Sequence, residues 1–241
     1  MYIKFDLKIF LFGLIFLATN SLKLYIILMT FALIHELAHL AMGLILGFKP
    51  DSMSIMPYGF KLNFKVNCIE YNKKIQKGNS ISIKKILIAL AGPITNFLIA
   101  LAIFIINKKI SNGFIIIEEC TRNPLKNIFN IYNNSEQMIY CNLLIMLFNL
   151  IPIYPLDGAK ILKEILHIKY GLRKSLKITQ DISWMSISVI TAITSIMILY
   201  FKNLNLLLAL VYLWVIAIKY EKQFEIKERI YKILEKDKAF K

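Results

Sequence analysis

Long apolar runs constrain this chain more than any other feature. Stretches near residues 9–19, 22–46, 86–106, 138–156, 184–200 and 204–218 carry almost no charge, and runs near 20 residues match a hydrocarbon core about 30 Å thick. Water is absent at that depth, so the backbone must satisfy its own polar groups, and a helix is the economical way. The expected fold is therefore all-α and polytopic, with six transmembrane helices. The 57% hydrophobic composition agrees, being richer than an ordinary soluble domain. The first run is short enough to double as a signal peptide.

The net charge of +15 would point to nucleic acid in a soluble protein. The placement of the 30 basic residues points elsewhere. With a cytosolic N-terminus, 24 of them fall in cytosolic segments and 6 outside, the asymmetry that orients membrane proteins. Little excess is left for nucleic acid, and none is expected as a partner. Both termini are expected in the cytosol, and removal of the first run would not change the direction of the second. Cys68, Cys120 and Cys141 are odd in number and widely spaced, which fits neither a disulfide framework nor a thiolate metal site.

After the second run, residues 49–66 carry Pro57 and Gly59 ahead of a strict apolar-polar alternation from Phe60 to Val66. That pattern predicts a small β-hairpin against the membrane, whose edge could pair with an extended peptide. The third run contains Ala91-Gly92-Pro93 and then Asn96. A glycine-proline pair is expected to free backbone groups there, and a buried asparagine needs a polar surrounding. The fourth run ends in Asn149-Leu150-Ile151-Pro152-Ile153-Tyr154-Pro155-Leu156-Asp157-Gly158; two prolines so close predict an unwound backbone. Residues 184–200 and 204–218 have aromatic ends and no ionisable group, so they read as scaffold. The segment 219–241 has apolar residues at helical spacing between charges and reads as a short amphipathic cytosolic tail.

Within the second run stands His35-Glu36-Leu37-Ala38-His39. On a helix the two histidines share a face, with the glutamate beside them. Two imidazoles can hold a zinc ion while a carboxylate handles the proton of a water. Glu36 and Asp157 are the acidic residues that fall within apolar runs or at their broken ends, and a charge at that depth needs a partner. One metal ion would serve both. His35 lies about 16 Å and His39 about 10 Å from the cytosolic end of the run at 1.5 Å per residue, and Gly92 and Asp157 fall toward the same side. His167 sits in a basic segment and reads as a loop residue. A structural polar cluster is the plain competing reading, disfavoured by the rarity of the motif. The absence of an internal repeat disfavours a transporter.

These motifs together resemble the three signatures of the site-2 protease family of intramembrane zinc metalloproteases. The likeness covers about residues 22–166, and the six-run layout with Met56-Pro57-Tyr58-Gly59 is most similar to the stage IV sporulation protein FB group. Ala38 and Ala159 stand where the family often has glycine. The resemblance implies one zinc ion held by His35, His39 and Asp157, with Glu36 as general base and later proton donor. Asn96 and Asn149 would bind the substrate backbone or the developing oxyanion. It also implies a membrane-associated protein substrate, for this group an inactive sporulation sigma-factor precursor, and regulatory membrane proteins as partners. The expected setting is a bacterial cell membrane, for a sporulation enzyme the mother-cell membrane around the forespore. The expected organisation is a membrane metalloprotease domain over 1–218 with its core at 22–166, then the tail at 219–241 without a nucleotide-sensing CBS domain. The competing function is a catalytically inactive binding protein or chaperone of the same fold.

Overall fold

The structure is a computed structural model that describes residues 2–5, 13, 17, 22–56, 59–65, 80–110, 134–201 and 204–239. Apart from residues 13 and 17, the first expected span at 9–19 lies outside those residues, as do the loops at 66–79 and 111–133. Two compact units make up the chain, Met1–Asn149 and Leu150–Lys241.

In the first unit, strand β1 (Tyr2–Phe5) precedes helix α1 (Leu22–Ile45), strands β2 (Lys49–Met56) and β3 (Gly59–Lys65), helix α2 (Ser80–Ile110) and helix α3 (Asn134–Leu150). α1 is built from leucine, isoleucine and alanine, and it stops where Gly47 takes a positive φ of 83°. There the Phe48 N–H bonds the Gly43 carbonyl at 2.8 Å and the Leu46 N–H bonds Met42 at 3.0 Å, so carbonyls left over by the last turn are satisfied. The Lys84 ammonium of α2 donates to the Leu46 carbonyl at 3.5 Å, which sets a cation at the negative end of α1.

β2 and β3 pair antiparallel, with Met53 opposite Leu62 and Ser54 opposite Lys61. The register shifts between Pro50 and Ser52, a bulge next to a proline that has no N–H for the ladder. β1 adds in parallel to β2, Tyr2 opposite Ser52 through Phe5 opposite Ile55, in the order β1-β2-β3. No alternation in the first residues announces that strand. α1 packs on α2, and β3 lies along α1. The apolar core of this unit joins Phe31 of α1 with Cys141 and Ile145 of α3, flanked by Ile99 and Ile103 of α2.

In the second unit, helices α4 (Asp157–Tyr170), α5 (Leu172–Phe201) and α6 (Leu204–Ala239) follow in sequence. Gly171, at φ 79°, turns the chain between α4 and α5, and its N–H bonds the His167 carbonyl at 3.1 Å. Ile153, Ile187 and Ala217 form the core, with Ile190, Leu213 and Trp214 around them. Trp214 Nε1 donates to Thr191 Oγ1 at 3.0 Å and ties α6 to α5. α5 begins twelve residues before the apolar stretch at 184–200, because Arg173, Lys174 and Lys177 break apolarity without breaking helix propensity. α6 crosses residues 218–219 unbroken, so the expected tail continues the preceding helix.

α1, the 81–107 part of α2 and the 172–200 part of α5 are long and apolar enough to cross a bilayer. Their exposed side chains include Ile26, Leu37, Ile94, Phe97, Val189 and Leu199, whereas His35, His39, Asn96, Asn142 and Asp157 are buried. Apolar groups outside and polar groups inside is the arrangement that lipid selects. The chain is an integral membrane protein, and its described residues are mostly helical with one small sheet.

Candidate metal centre

Four residues apart on α1, His35 and His39 are 4% and 5% exposed. Their rings meet edge to face with centroids 4.7 Å apart, and the two Nε2 atoms are 3.1 Å apart. His39 Nδ1 lies 2.6 Å from the backbone carbonyl of Ile88 on α2. A carbonyl can only accept, so Nδ1 carries the proton and Nε2 of the neutral ring keeps its lone pair. Two nitrogens bound at about 2.0–2.1 Å to one tetrahedral zinc would lie about 3.3–3.4 Å apart. The observed separation fits that edge closely, and the Ile88 carbonyl is the outer partner a ligating histidine requires.

α2 supplies the space. It runs unbroken through Pro93, so the expected disturbance at Gly92-Pro93 does not occur. What Gly92 provides is an absent methyl: a Cβ there would stand 2.6 Å from His35 Nε2 and 2.6 Å from His39 Nε2. The glycine therefore keeps the region in front of both nitrogens open. Asn96 lies one turn further on the same face of α2. It is fully buried, and neither its Nδ2 nor its Oδ1 meets a hydrogen-bond partner among the described residues. An unanswered amide at that depth is costly, and it stands ready for a ligand.

Glu36 is half-buried on α1 and accepts a hydrogen bond from the Leu62 N–H of β3. Gly43, two turns further along α1, lets β3 approach, because a Cβ there would run into the Phe64 ring. Neither contact was legible beforehand; the alternation in β3 located a strand but not the helix it lies on.

In the second unit, Asp157 opens α4 and is 2% exposed. Its carboxylate benefits from the positive end of the helix and accepts from Lys160 Nζ at 2.7 Å. A Cβ on Gly158 would meet the Leu150 carbonyl and come within 2.6 Å of the Ile151 oxygen, so glycine is needed for the tight return into α4. Asn149, half-buried in the first unit, donates its Nδ2 to the Ile145 carbonyl at 3.0 Å. His167 lies 3.6 Å from Glu164 on its own helix.

The buried imidazole pair and its adjoining carboxylate, set among lipid-facing helices, fit a metal centre of hydrolytic type in a membrane protein. Residues 23–195 match Peptidase family M50, and the chain belongs to that family. A zinc metalloprotease of Methanocaldococcus jannaschii is 28% identical over 197 residues, covering 80% of this chain and 47% of that protein. The chain thus spans about half the length of that curated relative. The solved structure of a site-2 protease from Methanocaldococcus jannaschii aligns with a TM-score of 0.61 at 23% identity, over 90% of this chain and 89% of the other. The fold is shared with it.

Proposed function

We propose that this chain is a zinc-dependent endopeptidase that cuts a membrane-associated protein within or beside the bilayer. The observation that carries the reading is the Nε2 pair of His35 and His39, 3.1 Å apart under Gly92 with Glu36 adjoining. Membership of Peptidase family M50 supports it. His35 and His39 would hold the ion, and Asp157, a third buried side chain of ligand type, would complete the set. A set of three protein ligands would match catalytic rather than structural zinc sites. When bound, zinc supplies Lewis-acid polarisation and a water acidic enough to react near neutrality.

Glu36 takes the proton of the attacking water and returns it to the leaving amide nitrogen. Asn96 donates its Nδ2 to the substrate backbone or to the oxygen on which negative charge develops. Asn149 remains a second candidate for the substrate backbone, once it gives up its bond within α3. A helical substrate hides its peptide bonds, so the chain to be cut unwinds and pairs along the edge of β3. β1 pairs with β2, so the first residues share a side with the hairpin, which supports the cytosolic assignment of the N-terminus and a cytosolic opening. The remaining apolar runs make up six spans in all. The likeness to the stage IV sporulation protein FB group favours a precursor of a sporulation sigma factor as substrate and regulatory membrane proteins as gatekeepers.

Co-expression with a candidate precursor tests this reading. Wild type cuts it and Glu36→Gln does not, although Glu36→Gln retains zinc; Asp157→Ala loses the metal as well. Equal processing by wild type and Glu36→Gln refutes the mechanism. Capture of the precursor without cleavage by either would assign the chain to binding or chaperone work.

A further inference from the structure

Among the described residues the sheet order leaves β3 as an edge strand, with Met53 of β2 opposite Leu62. An N–H points one way, and that of Leu62 goes to Glu36 on α1 rather than to β2. Met53 and Leu62 are therefore a non-hydrogen-bonded pair, and both the N–H and the carbonyl of Leu62 face out of the sheet. By the same alternation the backbone of Phe60 faces out too. The outer edge of β3 is thus turned toward the helix that carries His35, Glu36 and His39. Gly43 under Phe64 holds the strand along that helix.

One N–H serves one strong acceptor. A peptide that adds to β3 needs the Leu62 N–H for one of its own carbonyls, and the Glu36 carboxylate holds it now. We propose that the Leu62 backbone N–H is a positioning group with two successive partners: Glu36 in the resting chain, and a substrate carbonyl once an extended segment pairs with β3. The inference rests on the endopeptidase reading for the identity of the incoming strand. The exchange breaks one hydrogen bond and makes one, and no proton changes owner. Pairing of the substrate thereby releases the carboxylate for the attacking water, and it does so beside the substrate backbone. It also sets the register, since the carbonyl that takes the Leu62 N–H arrives where the Glu36 oxygen was. Side chains that oppose Phe60 and Leu62 are thereby the ones the strand presents for selection.

Hydrogen exchange of the full chain in lipid nanodiscs tests the first half without requiring turnover. In Glu36→Ala the Leu62 amide exchanges about tenfold faster or more, the effect of losing a charge-assisted bond. Adding a quenched-fluorescence decapeptide to Glu36→Gln slows exchange at Phe60 and Leu62. Equal exchange at Leu62 in wild type and Glu36→Ala would overturn the proposal. The second half uses an in-chain ester, with leucic acid in place of Leu62, which removes the N–H and keeps the side chain; Leu62→Ala is its converse. The ester raises KM for the decapeptide about tenfold, more than it raises KM for its central tetrapeptide, while Leu62→Ala keeps the wild-type exchange pattern. Identical kinetics for the ester and Leu62→Ala would overturn it as well. Failure of wild type to cleave either peptide would count against the endopeptidase reading, and the exchange comparison still decides the Leu62 contact.

Discussion

Gly92→Ala is the sharpest test of how the metal centre is made. The added Cβ would sit 2.6 Å from both Nε2 atoms and from His35 Cε1, where ordinary contact begins at 3.4 Å. Relief thus requires a movement of about 0.8 Å, several times the roughly 0.2 Å by which metal–ligand distances can vary. The overpacking alone costs about 1–3 kcal/mol. If the histidines rather than α2 give way, most of that cost falls on the metal, because the nitrogens leave the positions one ion can share. Zinc affinity, measured by competition with a chromophoric chelator, is expected to fall about 10- to 100-fold, at about 1.4 kcal/mol per tenfold. The unfolding midpoint of the metal-free protein is expected to change by only a few degrees. Wild-type zinc affinity in Gly92→Ala would refute the view that this glycine keeps the front of the histidines open.

Asn96→Ala removes a buried amide that has no partner among the described residues. Stability should hold or rise while kcat falls about 100-fold with zinc affinity intact; lost stability with unchanged kcat would make it a packing residue. Gly43→Ala drives a methyl into the Phe64 ring, costs about 1–3 kcal/mol and lifts β3 from α1, which raises KM. The pair Gly43→Ala with Phe64→Leu recovers most of that, and absence of rescue would separate the strand's position from substrate binding. A double-mutant cycle of Thr191→Ala and Trp214→Phe should show a coupling of about 0.6 kcal/mol, typical of side-chain bonds between membrane helices. A coupling of zero would leave α5 and α6 held by apolar contacts alone.

The histidine pair was legible because helical periodicity converts a spacing of four into a shared face, and no other residue had to be known. Asp157 was legible through the cost of charge in an apolar stretch. Gly92 was noticed for the wrong reason: the letters suggest a broken helix, whereas α2 stays intact and the glycine is a spacer whose meaning depends on the rings opposite. The Ile88 carbonyl and the Leu62 N–H had no signal, since every residue carries those groups and only tertiary packing selects one. β1 is four residues long and borrows its order from β2, so its own pattern could not announce it. The start of α5 was missed because hydropathy reports lipid contact, and a helix can continue past the membrane on charged residues.

Edge strands are hazardous, because their unpaired N–H groups and carbonyls recruit any extended chain, neighbouring copies included. In this protein a carboxylate from α1 occupies the outward N–H of Leu62, at the place where strand exchange between copies would start. The carboxylate proposed as general base thus also covers a group through which a neighbouring copy would otherwise pair. Removing it for biochemical convenience, as in Glu36→Ala, uncovers a template for aggregation as well as silencing the centre, whereas Glu36→Gln keeps an oxygen that can still accept.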